Sequence, residues 1–186
     1  MTRLVNPDTR PLMTVDMDGV FCEPPLGRNF GIHRSFYDPA EEPHLAKVYP
    51  RWVNEPLDRL RFDFRRPMPG ARKALLRLAT VRRLVVVTGR RTIPTWWLRH
   101  HDFDGIFEAL YVNRSAVGSA HYKQATLRRL GAVEHVEDDA RTAQLLAQTT
   151  DIRVYLCDWP RNRDLPLAPA VERVQNLVDL AARLAP

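Results

Sequence analysis

Two carboxylates, Asp16 and Asp18, stand two residues apart at the end of a short apolar run, residues 12–15, and Gly19 follows them. Glycine permits a turn there that a side chain would hinder. Clustered carboxylates repel one another unless a cation or a proton intervenes, so folding alone explains the pair poorly. A divalent metal and a phosphoryl group bound at this point would explain it.

Other polar groups stand where they could converge on the pair. Thr88 and Gly89 end a second apolar run; the threonine hydroxyl can donate to a phosphoryl oxygen, and the Gly89 amide lies beside it. Glu137, Asp138 and Asp139 end a later run, and Lys123 opens the helix expected before it. Carboxylates are suitable hard ligands for Mg²⁺. Mg²⁺ and Lys123 together would neutralise a phosphate and keep a nucleophilic carboxylate ionised. Each piece has an ordinary alternative: Asp18-Gly19 as a turn, Thr88-Gly89 as a strand-end turn, Asp138-Asp139 as a helix cap, Lys123 as an exposed helix residue. Their joint order, each at the expected strand end or helix start, favours a site.

The elements needed to position these groups follow from periodicity. Strands are expected at 12–15, 83–87, 106–112, 133–136 and 152–157. Helices are expected at 70–79, 92–101, 122–130, 140–148 and 170–184. Strand–helix alternation predicts an α/β fold, a three-layer Rossmann-like parallel sheet with right-handed crossovers and a small cap insertion after the first strand. Ligands of such sheets bind at the carboxyl ends of the strands. The core comprises residues 1–22 and 69–186. Residues 23–68 form the Pro-rich cap insertion, in which helical periodicity is weak and prolines such as Pro39, Pro43, Pro50 and Pro56 oppose both helix and ladder. Its aromatics, among them Phe30, Phe36, Tyr37 and Trp52, argue for an ordered segment over the active edge of the sheet.

The chain has 186 residues and a formal charge of +6, supplied mostly by arginine, since Lys47, Lys73 and Lys123 are its only lysines. The arginine pairs are dispersed, which favours a solvated basic surface over a nucleic-acid tract. Two cysteines, Cys22 and Cys157, are too few for a disulfide framework and read as buried, inert thiols. No apolar run is long enough to span a bilayer, no membrane partner is expected, and the N-terminus lacks the apolar core of a signal peptide, so the expected location is cytoplasmic.

With these residues in place the sequence resembles the haloacid dehalogenase-like hydrolase superfamily, phosphatase type. Asp16-Met17-Asp18-Gly19-Val20 is similar to its first motif, Thr88 to the second, Lys123 to the third and Glu137-Asp138-Asp139 to the acidic fourth. The resemblance implies Mg²⁺ and a covalent aspartyl-phosphate, with Asp16 as nucleophile and Asp18 as general acid and base. It assigns Mg²⁺ to the Asp16 carboxylate, the Asp18 backbone carbonyl and a fourth-motif acid; Asp138 is favoured, with Glu137 or Asp139 as a second contact. True dehalogenases of the family lack the second aspartate, so Asp18 points to phosphoryl chemistry. The segments around Thr88-Gly89-Arg90 and Asp158-Trp159-Pro160-Arg161-Asn162 resemble those of nucleic-acid-end phosphatases and deoxyribonucleotidase-like members.

The expected function is a Mg²⁺-dependent phosphatase of a small phosphomonoester, a nucleotide being one candidate, with Gly89, Arg90, Arg34 and Trp52 binding substrate. A phosphatase of nucleic-acid ends, a mutase and a catalytically idle binding module on the same fold are the alternatives. His100-His101 with Asp102 and Asp104 lacks the ligand pattern of a zinc site.

Overall fold

The structure, a computed structural model, describes residues 8–24, 35–45 and 47–186. Six strands form one parallel sheet: β1 (Leu12–Val15), β2 (Arg83–Thr88), β3 (Ala109–Val112), β4 (Glu134–Glu137), β5 (Arg153–Cys157) and β6 (Val171–Val174), in the spatial order β3-β2-β1-β4-β5-β6. The first strand is therefore central, and the sheet order reverses beside it. Register sets Val15 opposite Val86 on one side and Val136 on the other, so the residues following β1, β2 and β4 emerge on one edge. This is the topological switch point at which open α/β sheets bind ligands.

Alternation along β2 shows how the layers form. Leu84 and Val86 face a core containing Met13, Val15, Phe21, Leu75, Leu78, Trp97, Phe103 and Leu180. Val85 and Val87 face the opposite core, with Leu127, Ala143, Leu146, Val154 and Leu156. Side chains two apart share a face of a strand, so helices α2 (Ala71–Val81), α3 (Thr95–His100) and α6 (Leu177–Leu184) cover one face, and α4 (Ser119–Leu130) and α5 (Ala140–Thr149) the other. Each thiol is buried; burial pushes Cys22 up to about 12 and Cys157 higher still, as expected of inert cysteines.

Three element expectations are corrected. Residues 170–184 are not one helix. Val171–Val174 is an edge strand paired with β5, and α6 begins only after Asn176, whose side chain accepts hydrogen bonds from the Val178 and Asp179 amides. The valines at both ends of that strand are buried, so sheet packing overrides its helical pattern. Pro94 delays the helix expected at 92–101 to Thr95. The insertion is not irregular throughout: α1 (Arg51–Phe62) forms with Pro50 at its N-cap and Pro56 inside it. One interior proline removes one backbone donor, and the other eleven residues still form the helix.

The insertion leaves and returns at one point. The Glu23 amide donates to the Arg66 carbonyl at 2.8 Å and the Met68 amide to Phe21 at 2.9 Å. The Trp97 indole N–H donates to the Arg65 carbonyl at 2.7 Å, fixing the returning strand against the core.

Asn176 satisfies two amides that would otherwise lack partners at the start of α6. Asn176→Ala is expected to lower unfolding free energy by about 1 kcal/mol with an unchanged denaturant slope, measured by urea titration.

Candidate active site

At the end of β1, Asp16 is buried and its Oδ2 lies 2.9 Å from Lys123 Nζ. Lys123 is the fifth residue of α4 and is buried, not exposed. The same ammonium lies 2.7 Å from Glu137 Oε2. A cation between two buried carboxylates raises the Lys123 pKa against the cost of burial, through the charges of Asp16 and Glu137. The other Asp16 oxygen, Oδ1, is buried without a hydrogen-bond partner among the described residues. Burial pushes the Asp16 carboxyl up to about 7; Glu137 and Asp18 push the same way, and Lys123 opposes them.

Glu137 is saturated with donors. Its Oε1 accepts from the Asp138 and Asp139 amides at 3.1 and 3.2 Å, and its Oε2 accepts from Lys123 and from His135 Nε2 at 3.1 Å. These donors hold its pKa far below the usual range despite full burial, the Lys123 charge and the His135 hydrogen bond contributing most. Burial lowers the His135 pKa against its Glu137 hydrogen bond, and its Nδ1 lies 2.8 Å from the Thr14 hydroxyl oxygen. A line of contacts therefore runs from inside the sheet to the Asp16 carboxylate: Thr14, His135, Glu137, Lys123.

Asp138 faces the loop after β1. A Cβ on Gly19, whose φ is +78°, would lie 2.1 Å from Asp138 Oδ2, so the position demands glycine on both conformational and steric grounds. Arg161 Nη2 donates to Asp138 Oδ2 at 2.8 Å, Asn162 Nδ2 donates to the Asp138 carbonyl at 3.2 Å, and the Trp159 indole donates to the Gly19 carbonyl at 3.0 Å. The loop after β5 thus steadies both halves of the acidic site. Burial drives the Asp138 pKa well above normal, with Glu137 adding to it and Arg161 opposing.

Asp16, Glu137 and Asp138 offer carboxylate oxygens within 4.8 Å of one another. The oxygen donors and the unpartnered Asp16 Oδ1 fit a hard divalent cation such as Mg²⁺. Within that cluster Asp16 and Asp138 are the better ligands, because Glu137 already accepts four hydrogen bonds and orients its neighbours instead. Asp139 lies outside that cluster: its carboxylate turns to Arg141 Nε at 3.2 Å and Thr142 Oγ1 at 2.9 Å, at the start of α5.

Thr88 is buried at the end of β2, where its oxygen accepts from the Arg90 amide at 3.3 Å and its proton remains to donate. Gly89 packs against the first turn of α4; a Cβ there would come within 2.3 Å of Ser119 Oγ. Asp18 is gripped by two arginines. Arg90 Nε and Nη2 reach its two oxygens at 2.9 and 2.6 Å, and Arg65 Nη1 reaches Oδ1 at 2.8 Å. Against the cost of burial, these charges, Arg90 foremost, hold the Asp18 pKa down. Trp52 is 77 % exposed on α1, outside the lining of the neighbouring cavity. Arg34 lies outside the described residues.

No protein-family model and no curated protein matches the sequence. Solved structures do match the fold. A haloacid dehalogenase-superfamily hydrolase, subfamily IA, variant 1, from Geobacter sulfurreducens is 17% identical, with 95% of this chain and 100% of that chain covered and a TM-score of 0.58. A dehalogenase is 13% identical over 96% of this chain and 99% of its own, with a TM-score of 0.64. CbbY from Rhodobacter sphaeroides, in complex with phosphate, is 15% identical over 92% and 96%, with a TM-score of 0.59. The chain has the haloacid dehalogenase-superfamily fold. Within that fold the four motifs read from the sequence fall at the ends of β1 and β2, on α4 and at the end of β4.

Sequence reasoning missed Arg65, His135 and Thr14. Arg65 lies 47 residues from its partner Asp18, and no local pattern joins them. His135 and Thr14 sit inside strands, away from the strand ends where the site was sought. Asn162 and Arg161 were visible only as part of a resembling segment.

The raised Asp16 and Asp138 carboxyls must lose their protons to bind a cation, so protons and metal compete. With Asp16 near 7, Mg²⁺ affinity measured by calorimetry should tighten about tenfold or more from pH 6 to pH 8. An affinity constant across that range would contradict this arrangement.

Proposed function

We propose that the protein hydrolyses a phosphomonoester, with Asp16 as nucleophile and Mg²⁺ as cofactor. The observation that carries this reading is the buried, unpartnered Asp16 Oδ1 beside the Asp138 carboxylate, with Lys123 holding the other Asp16 oxygen. Asp18 favours phosphoryl transfer over the dehalogenation named for one similar structure, because a second carboxylate is suited to moving a proton to and from oxygen.

Mg²⁺ would be held by the Asp16 and Asp138 carboxylates and the Asp18 backbone carbonyl, and when bound it supplies charge neutralisation at the phosphoryl oxygens. The chain's own residues do the rest. Asp16 attacks phosphorus and forms an acyl phosphate as the ester P–O bond breaks. The leaving oxygen takes a proton from Asp18, which Arg90 and Arg65 hold ionised in the free protein and which receives that proton from the bound phosphate monoanion. Asp18 then accepts a proton from water, which attacks the same phosphorus; the Asp16–phosphorus bond breaks, and inorganic phosphate leaves. Thr88, the Gly89 amide and Lys123 donate to the phosphoryl oxygens throughout. Glu137, fixed by four donors, keeps the Lys123 ammonium aimed at Asp16.

The leaving group would extend toward a cavity of about 440 Å³ between α1 and the loop after β2. Tyr49, Phe62, Arg90 and Trp96 help to line it, and it suits a flat group of nucleoside size. A small phosphorylated substrate of the nucleotide class is thus the preferred partner.

A panel of phosphomonoesters assayed with Mg²⁺ and with EDTA tests this. Hydrolysis is expected only with the metal, and Asp16→Asn should lower kcat about a thousandfold or more while circular dichroism stays unchanged. Near wild-type turnover by Asp16→Asn would exclude the covalent route. Mg²⁺ should also raise the melting temperature, since it binds the native acidic cluster and relieves its repulsion; an identical melting curve in EDTA would count against the metal site.

A further inference from the structure

Asp18 faces more positive charge than it can balance. Two guanidiniums, those of Arg65 and Arg90, share one carboxylate. Both are nearly buried, with side-chain exposures of 8% and 2%, against 30% for Asp18. Both also lie over the Phe62 ring, at 4.5 Å and 4.2 Å from its centroid, which fixes their planes and adds a cation–π attraction. Arg90 Nη1 is buried with no hydrogen-bond partner among the described residues. A buried guanidinium donor left unpaired is costly, and the most effective remedy is an anion.

Arg90 lines the 440 Å³ cavity together with Arg59, Arg91 and Arg114. Glu55, Asp58 and Asp63 share that lining, so the cavity is not a uniformly basic patch. Asp58 accepts from the Thr92 hydroxyl at 2.7 Å, and Arg59 reaches Glu55 at 3.4 Å. The positive excess is focused where Arg90, Arg65 and Phe62 meet.

We propose that this pair of guanidiniums is a second anion subsite, and that the substrate is an alcohol phosphate carrying a second phosphate on its leaving group. The inference rests on the phosphomonoesterase reading for the position of the first phosphate. The second phosphate takes the Arg90 donor that is unpartnered and competes with Asp18 for the shared donors, since guanidinium forks match phosphate oxygens as well as carboxylate oxygens. A bound bisphosphate thereby loosens Asp18 next to the leaving oxygen, whereas a substrate with a single phosphate leaves it clamped.

The subsite is tested by binding to the Asp16→Asn protein in Mg²⁺, so that turnover does not enter. Calorimetry compares adenosine 3′,5′-bisphosphate with adenosine 3′-monophosphate and adenosine 5′-monophosphate. The bisphosphate should bind about tenfold or more tightly than either monophosphate. Arg65→Met in the same background should close most of that gap, and Arg65→Lys, which keeps the charge but loses the fork, should restore part of it. A 3′-phosphorylated trinucleotide separates the two sources of a second phosphate: tighter binding than the bisphosphate, lost in Arg65→Met, assigns it to a strand end, and weaker binding assigns it to a free nucleotide. Equal affinities for mono- and bisphosphate, or a preference untouched by Arg65→Met, would overturn the subsite. Loss of the phosphatase reading would show instead as wild-type protein that turns over no ester in Mg²⁺.

Discussion

The Lys123 ammonium, buried between Asp16 and Glu137, is the interaction on which the rest of the site depends. Three charges sit together at the end of a hydrophobic sheet, where each alone would be expensive. Removing the lysine would leave two carboxylates uncompensated, a change that typically costs several kcal/mol in buried pairs. The arrangement holds because every member has further partners. Glu137 has two backbone amides and His135, and Asp16 keeps one oxygen for an incoming cation. The two buried carboxylates are pushed in opposite directions, Glu137 down and Asp16 up. The difference lies in donors. Among the described residues Glu137 accepts four, while the Asp16 carboxylate has Lys123 alone and faces two other carboxylates.

That asymmetry divides the labour. A carboxylate already saturated with hydrogen bonds is a fixed counter-charge, whereas one with a free lone pair can still accept a cation. The loop after β5 extends the same logic to Asp138, whose Arg161 and Asn162 contacts hold it against Gly19 without replacing the carboxylates nearby. Strand order makes this economical. Because β1 is flanked by β2 and β4, and β4 by β5, each contributing loop starts on the same edge of the sheet.

The insertion reaches the site through few residues. Arg65 and Phe62, at and just beyond the end of α1, meet Asp18 and Arg90, while the apolar side chains of Trp52, Leu57 and Leu60 on the same helix are exposed. The stretch bearing Arg65 is anchored by Trp97 and by the pairing around Cys22 and Pro67. Position of the Arg65 guanidinium is therefore set by the core, and α1 supplies the aromatic face and the cavity wall.

Strand–helix order and the polar groups at each strand end were legible in the sequence. Both are local: short runs rich in apolar and β-branched residues mark the strands, and the polar residues that close them must emerge on one edge once the sheet is parallel. Asp16, Asp18, Thr88, Lys123 and the acidic triplet were legible for that reason. Tertiary structure decided which acid does what. Glu137, Asp138 and Asp139 are adjacent and chemically alike, but successive side chains leave the strand end in different directions: toward Lys123, toward Gly19 and toward the start of α5. Packing likewise made Val171–Val174 an edge strand, since its preference was settled by β5 beside it. The two-arginine grip on Asp18 was beyond any local reading, because Arg65 and Arg90 come from segments that only the folded sheet brings together.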